Sequence, residues 1–208
     1  LDGLIGVTSP LTLARLIEKG ELFYLQAPEG VYGYFNRRAS GYSAYVKIGD
    51  GCNRNCAFCS IPLFKGPSAS RSLESIKSET LSLVKKGVKE IVLVSQDNTQ
   101  YGRDLDGDLD LGCLLRELND LSGDFWIRVM YLHPDHVDLS LIDTMLELPK
   151  VVDYFDMPVQ SGSDRILKAM GRTRNSSELG SIFNCIRAKA PHSVLRTTLM
   201  LGFPGETE

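Results

Sequence analysis

From Tyr42 onward, short apolar runs alternate with longer amphipathic stretches, and this alternation limits the folds that the chain can adopt. The apolar runs have strand length, and the stretches between them have helical periodicity. Since each intervening stretch is long enough for a right-handed crossover, the strands are predicted to lie parallel, in a sheet of the barrel or doubly wound kind. The predicted strands are Tyr42–Ile48, Glu90–Val94, Trp126–Leu132, Tyr154–Val159 and Val194–Leu201.

The predicted helices carry their own start and stop signals. The first runs from Ser72, as N-cap, to Lys86, and Gly87 follows its last turn. Four more helices are predicted. The second begins at Leu111, and the third spans Leu139–Leu148 with Asp138 as N-cap. A short fourth helix follows Ser163, and a fifth begins at Ser176 after a capping-box-like Asn175 and Glu178. Residues 1–41 read as a lead-in segment with a short helix at 12–19 and a turn at 27–30. Residues 42–208 read as the α/β domain.

Composition excludes several classes of protein. The chain has 208 residues, of which 43% are hydrophobic, and this is enough for one sizeable core. Its formal net charge of −3 provides no general attraction for a phosphate backbone. No apolar run approaches the roughly 20 residues of a membrane-spanning helix, so no membrane partner is expected. The odd number of cysteines argues against a disulfide framework, and no signal peptide is visible, so we expect a reducing, cytoplasmic location.

Distinctive polar and glycine-rich segments follow the predicted strands directly. In parallel α/β folds, binding sites form beyond the carboxyl ends of the strands. The segments are therefore predicted to share one face of the fold. They are residues 52–59, 95–98, 133–134, 160–163 and 202–206.

Three cysteines, Cys52, Cys56 and Cys59, are spaced C-x3-C-x2-C after the first predicted strand. Thiolates at this spacing can hold three corners of one iron–sulfur cube and leave one iron open for chemistry. A structural zinc ion would need a fourth ligand, for which Cys113 and His133 are the candidates. The alternatives to an enzyme are therefore a zinc-stabilised binding module without catalysis, and a plain α/β domain with an accidental cysteine triplet.

The segment Gly51–Cys59, including the aromatic Phe58, resembles the signature of the radical S-adenosylmethionine (SAM) superfamily. The resemblance implies a partial (β/α)6 TIM-like barrel and a [4Fe–4S] cluster on the three cysteines. It also implies that SAM chelates the open iron and is cleaved by one electron to methionine and a 5′-deoxyadenosyl radical.

Further segments resemble the methylthiotransferases of the RimO type, which modify the β-carbon of an aspartate in small-subunit ribosomal protein number twelve. Ser161 instead matches the tRNA-modifying MiaB type, which is the alternative within the family. The segments that carry the resemblance are Ile61–Pro62, Ser70–Ser72, Ser95–Gly102, Met130–Pro134, Tyr154–Ser163, Leu195–Thr198 and Gly202–Thr207.

The resemblance also implies contacts to SAM, although it assigns no catalytic residue. Gln96 and Asp97 would face the methionine amino group, or else lie in a solvated loop. The glycines Gly202 and Gly205 would approach the adenine, or else form only a tight turn. The remaining candidates are Gln160 and Ser163 at a helix start, where Ser163 also serves as a cap, and Arg172 and Arg196 for the methionine carboxylate; His133 is expected to be structural.

Family architecture extends these expectations beyond the chain. The resemblance implies an N-terminal domain with a second [4Fe–4S] cluster, a C-terminal domain through which any nucleic acid would be contacted, and a sixth barrel strand beyond Glu208. It also implies a ribosomal protein substrate and an electron donor such as flavodoxin or ferredoxin.

Overall fold

The computed structural model of the chain describes residues 4–5, 10–20, 23–24 and 41–207. The predicted helix at 12–19 is confirmed within a longer helix, whereas the predicted turn at 27–30 lies outside the described residues. In chain order the elements are β1 (Leu4–Ile5), α1 (Pro10–Lys19), β2 (Phe23–Tyr24), β3 (Ser43–Lys47), β4 (Gly49–Asp50), α2 (Ile61–Lys65), β5 (Ala69–Ser70), α3 (Leu73–Lys85), β6 (Glu90–Val94), α4 (Leu111–Asn119), β7 (Trp126–Val129), α5 (Leu139–Glu147), β8 (Tyr154–Asp156), α6 (Asp164–Ala169), α7 (Ser176–Lys189) and β9 (Val194–Arg196).

Five parallel strands follow one another in sequence order and carry the fold. Strands β3, β6 and β7 form one ladder, and β8 pairs with β9. A bridge between Ile127 and Val151, and a hydrogen bond of 2.9 Å from Leu132 N to Asp156 O, join β7 to β8. The predicted α/β class is thereby confirmed; within the described residues the strands form an open arc and not a closed barrel.

The strand ends differ from the sequence prediction. Strand β7 was expected to reach Leu132 but ends at Val129, because Tyr131 adopts a left-handed backbone conformation with φ of 51°. Strand β8 ends at Asp156 and β9 at Arg196, although a single parallel bridge joins Gln160 to Leu199 farther on. A left-handed residue turns the chain out of the strand direction, so the pairing stops early.

Three helix starts carry the side-chain caps expected from the sequence. Ser72 accepts a hydrogen bond from Ser75 N (3.3 Å), and Asp138 accepts one from Leu141 N (2.8 Å). The capping box is present, since Asn175 Oδ1 accepts from Glu178 N and the Glu178 carboxylate accepts from Asn175 N. Each cap satisfies backbone donors that the first helical turn leaves unpaired.

The core lies between the sheet and the helices packed on it. Strand β6 contributes Ile91 and Leu93, and α4 contributes Leu114, Leu115 and Leu118, all fully buried. Because the helices pack on the sheet, the carboxyl ends of the strands remain free to carry polar loops. No helix in the described ranges combines the length and the apolar character needed to cross a bilayer.

Candidate functional site

A cavity of about 130 Å³ opens at the carboxyl ends of the parallel strands. Four of the five segments expected to share this face line it together, from the loops after β4, β6, β7 and β8, whereas no residue of 202–206 does. Its lining residues are Cys52, Arg54, Cys56, Phe58, Cys59, Ile61, Gln96, Asp97, Tyr131, His133, Pro158, Gln160 and Arg172.

The loop with the three cysteines is closed at its base by Gly51. This residue has φ of +73°, and a Cβ built on it would lie 2.0 Å from the carbonyl oxygen of Pro67. Only glycine permits both this conformation and this approach. The next residue, Cys52, donates its backbone N–H to Gly66 O (3.2 Å), so the two ends of the loop are tied together.

The middle of the same loop rests on the end of α6. Ala57 N donates to Met170 O (3.0 Å), and the missing side chain of Gly171 admits the backbone carbonyl of Asn55, which lies 2.9 Å from the position of a Cβ. The cysteine loop is thus held from two elements far apart in the sequence.

A buried ion pair joins the cysteine loop to the loop after β6. Arg54 Nε lies 2.7 Å from Asp97 Oδ2, and the Asp97 side chain is only 2% exposed. Burial alone would raise the pKa of Asp97, but hydrogen bonds from Thr99 and Arg54 outweigh it, and the pKa falls below its ordinary value. Asp97 is therefore a carboxylate at neutral pH, with most of its acceptor capacity used inside the protein.

Arg172, another lining residue, connects three groups of the cavity. Its guanidinium hydrogen-bonds His133 Nε2, donates to Pro158 O (3.1 Å) and lies 5.9 Å from the centre of the Phe58 ring. His133 Nε2 is also 3.8 Å from Cys56 Sγ. Burial and the Arg172 charge lower the pKa of His133 to about 4, so this imidazole is neutral at physiological pH. Burial likewise raises the pKa of the Cys56 thiol, with Arg172 opposing the effect.

Several polar atoms of the cavity have no partner. In the described part of the chain, six buried side-chain nitrogen or oxygen atoms lack a hydrogen bond, and three belong to residues that line the cavity: Gln96 Oε1, His133 Nδ1 and Arg172 Nε. Leaving such a group unsatisfied costs roughly 1–3 kcal/mol. A polar ligand in the cavity would remove this cost.

The backbone around the cavity is strained as well. Among the described residues, the non-glycine positions with positive φ are Tyr131 (51°) and Gln160 (73°), and both line the cavity. Strain of this kind concentrates at ligand sites. It supports the same conclusion as the unpartnered atoms.

The donor set fits an iron–sulfur cluster better than a single metal ion. A mononuclear zinc site needs its ligands about 2.0–2.3 Å from one point. Within the described ranges, no group of three or more histidine, cysteine, aspartate or glutamate side chains converges in this way. An iron–sulfur cube binds each thiolate at a different iron, so its thiols need not converge on one point, and all three thiols line this one cavity.

Most of the predicted site residues meet in the cavity. Cys52, Cys56, Cys59, Phe58, Gln96, Asp97, Gln160 and Arg172 all line it. Three others lie outside its lining: Ser163, Gly202 and Gly205. Ser163 occupies the N-cap position of α6 but makes no side-chain cap bond, so the capping role expected of its hydroxyl was wrong. The Glu206 carboxylate accepts hydrogen bonds from the N–H groups of Gly202 and Phe203. These contacts to SAM remain predictions.

The other residues weighed in the sequence take structural positions. Arg196 donates to Asp156 Oδ1 at 2.8 Å. Cys113 stands at the start of α4 and contacts Asp108 O, while Cys185 is half-buried in α7; neither lines the cavity. His133, which the sequence suggested to be structural, does line it and adjoins Cys56.

Sequence reasoning missed Arg54, Gln100 and Tyr131. Arg54 lies between two of the cysteines, and its position inside the motif was an available signal. Gln100 contacts Cys52 across 48 residues of sequence, and Tyr131 enters the site through its unusual φ. Neither of these two features leaves a pattern in the sequence.

Residues 46–208 match the family model described as the Radical SAM superfamily. The match spans more than half of the chain, and the chain belongs to this superfamily.

The curated relatives are more specific. A protein of Thermotoga maritima named "Ribosomal protein uS12 methylthiotransferase RimO" is 55% identical over 211 residues, covering 100% of this chain and 49% of the relative. A protein of Petrotoga mobilis with the same name is 54% identical, covering 99% of this chain and 47% of the relative. The chain thus spans about half the length of the curated relatives that it matches.

Solved structures support the fold. The radical S-adenosylmethionine methyltransferase TsrM from Kitasatospora setae, with cobalamin and a [4Fe-4S] cluster bound, matches with a TM-score of 0.67 at 16% identity. The match covers 84% of this chain and 36% of TsrM. The cobalamin-dependent radical enzyme OxsB matches with a TM-score of 0.58 at 14% identity, covering 76% of this chain and 23% of OxsB.

Proposed function

We propose that this chain is the radical SAM unit of a methylthiotransferase of the RimO type. The unit comprises residues 42–208, with 1–41 as a lead-in segment, and the substrate is the β-carbon of an aspartate in ribosomal protein uS12. The observation that carries the proposal is the cavity in which three cysteines, Phe58 and the unpartnered Gln96, His133 and Arg172 atoms meet.

Cys52, Cys56 and Cys59 would hold a [4Fe–4S] cluster. With SAM bound, such a cluster supplies a one-electron cleavage that yields a 5′-deoxyadenosyl radical. The thiols lie on a loop whose base is fixed at Gly51 and whose middle is fixed by Gly171, so the protein presents them on a positioned segment. Preorganisation of this kind lowers the entropic cost of binding.

The polar residues that line the cavity with the cysteines are suited to the amino acid portion of SAM. Gln96 Oε1 is a buried acceptor without a partner, which suits an ammonium group, and Arg172 Nε is a buried donor without a partner, which suits a carboxylate. Gln160 adds an amide at the left-handed turn after β8. The Phe58 ring lies 5.9 Å from the Arg172 guanidinium, and Arg172 is buried.

Asp97 is better suited to positioning than to direct chemistry. Its carboxylate accepts from Thr99 N (2.9 Å), Thr99 Oγ1 (2.6 Å), Gln100 Nε2 (3.2 Å) and Arg54 Nε (2.7 Å). These bonds lock the cysteine loop against the loop that carries Gln96. An ammonium group of SAM would compete with Arg54 for the same oxygen.

The relatives favour a ribosomal protein over tRNA as the substrate, since those described above are named uS12 methylthiotransferases. Ser161, which matches the tRNA-modifying type, lies outside the cavity lining. A second cluster in a preceding domain, an electron donor such as flavodoxin or ferredoxin, and a cytoplasmic location belong to the proposal through family resemblance.

Anaerobic reconstitution tests the proposal at its first step. The chain is expected to bind about four iron and four sulfide per molecule, and to release 5′-deoxyadenosine from SAM with dithionite. Cys52→Ala should abolish both, whereas the matched control Cys113→Ala should retain both, because Cys113 lies away from the cavity. One zinc per chain, or equal loss in the two variants, would refute the cluster assignment.

Substrate identity needs a separate measurement. A protein of the relatives' full length that carries this chain is incubated with SAM, reductant, sulfide and either uS12 or tRNA, and the products are analysed by mass spectrometry. Addition of a methylthio group to an aspartate of uS12 is expected. The same mass increase on tRNA alone would assign the protein to the MiaB type.

A further inference from the structure

Gln100 makes a hydrogen bond that sequence reasoning gave no cause to expect. Its amide nitrogen Nε2 lies 3.3 Å from Cys52 Sγ, and the side chain is buried, with the residue only 3% exposed. We propose that Gln100 is a positioning residue that orients the Cys52 thiolate and raises the reduction potential of the cluster. This inference rests on the proposed function, because it assigns Cys52 to the cluster.

The orientation of the Gln100 amide is fixed by its other partners. Gln100 Oε1 accepts from Asn53 N at 3.1 Å, and Nε2 also lies 3.2 Å from Asp97 Oδ2. A flipped amide would place Oε1 against a carboxylate and a sulfur, and the NH2 group against the Asn53 N–H. The unflipped amide satisfies all of its partners, so the group facing Cys52 is the donor.

Both amide hydrogens of Gln100 are therefore used, one for Asp97 and one for Cys52. Cys52 Sγ receives a second donor from Arg54 N at 3.4 Å. Cys52 is also buried, whereas Cys56 and Cys59 are half-buried. In the low dielectric of the protein interior, a hydrogen bond to a negatively charged sulfur is electrostatically stronger than in water.

Hydrogen bonds to the sulfurs are among the factors that set the potential of an iron–sulfur cluster. A donor stabilises the reduced, more negative state more than the oxidised state, so it makes reduction easier. A side chain that hydrogen-bonds a metal-binding residue also holds that residue in the orientation needed for binding. Gln100 has both effects through one bond to Cys52, and its bond to Asn53 N fixes the loop on the other side of that cysteine.

The test compares two Gln100 variants with a neighbour in the same turn. Gln100→Met keeps the length of the side chain and removes the donor. Gln100→Glu keeps an acceptor for Asn53 N–H and, whether ionised or protonated onto Asp97, offers Cys52 no hydrogen. Thr99→Val is the matched control: it removes bonds to Asp97 and Arg54 from the same buried turn but none to a cysteine.

The wild type and the three variants are reconstituted anaerobically and assayed for iron and sulfide. Each is then titrated with dithionite while the reduced cluster is followed by electron paramagnetic resonance. We expect full loading in each, a midpoint potential shifted to more negative values in both Gln100 variants, and no shift in Thr99→Val. If Gln100→Met fails to fold, as judged by circular dichroism, the neutral variant Gln100→Leu takes its place, because Gln100→Glu also adds a negative charge that by itself lowers the potential.

The possible failures are distinguishable. Unchanged potentials in fully loaded Gln100 variants would overturn the role of Gln100 and leave the cluster assignment intact. An equal shift in Thr99→Val would overturn it too, because the cause would then be general loosening of the turn. Failure of both Gln100 variants to load, with Thr99→Val loaded, would make Gln100 a structural residue only. A wild-type chain that binds no cluster would overturn both the proposed function and this inference.

Discussion

Replacing Gly51 with alanine tests whether the base of the cysteine loop depends on a missing side chain. The new Cβ would lie 2.0 Å from Pro67 O and 2.7 Å from Pro67 C, whereas ordinary contact begins near 3.4 Å. The atoms that the Cβ would meet are main-chain atoms and cannot rotate away. The two chain segments at Gly51 and Pro67 must therefore separate by more than about 1 Å. The hydrogen bond from Cys52 N to Gly66 O is adjacent to this separation and is expected to break.

Gly107→Ala provides the matched control, because Gly107 has a similar φ of +86° but nothing within 4 Å of its Cβ position. Both variants carry the cost of a left-handed alanine, about 1 kcal/mol. Gly51→Ala additionally loses a hydrogen bond worth about 1 kcal/mol and retains part of the clash. We therefore expect a total cost of about 1 kcal/mol for the control and about 3 kcal/mol for Gly51→Ala.

Urea unfolding of the metal-free chain, followed by circular dichroism, measures these costs. Reconstitution then measures iron per chain, which should fall in Gly51→Ala and remain normal in Gly107→Ala. Equal unfolding midpoints in the two variants would refute the argument, because they would mean that the approach of Pro67 O adds nothing beyond the backbone conformation.

Two further predictions concern stability. Asp97→Asn breaks the buried pair with Arg54 and should cost about 3 kcal/mol near neutral pH. Because the folded-state pKa of Asp97 is lowered, its contribution to folding stability is present above about pH 4 and is lost as the pH falls through the folded pKa. The difference in free energy of unfolding between wild type and variant should therefore become smaller in acid. A difference that stays constant with pH would contradict this. Asn175→Ala removes one half of the α7 capping box and should cost about 1 kcal/mol in the same assay, whereas Asn184→Ala, on the exposed face of α7, should change little.

Local sequence determined most of the elements and their starts. Caps such as Ser72, Asp138 and Asn175 act on backbone groups within three residues, so a short window of sequence contains all of the information. The apolar run of β6 likewise reports burial on both faces of one strand. The cysteine spacing identified the loop for the same reason, since one short segment supplies all three thiols.

Only the tertiary structure decided which side chains meet these thiols. The bond from Arg54 to Asp97 spans 43 residues of sequence, and the bond from Gln100 to Cys52 spans 48. His133 was expected to be structural, yet its strand end is brought against Cys56 because neighbouring parallel strands end on the same face. The early end of β7 at Val129 has the same origin. Asp156 accepts a hydrogen bond from Tyr131 N, across 25 residues, and helps to hold a left-handed backbone turn at Tyr131 that no local residue requires. Contacts of this kind depend on how the strands are arranged in space, and a linear pattern carries no record of that arrangement.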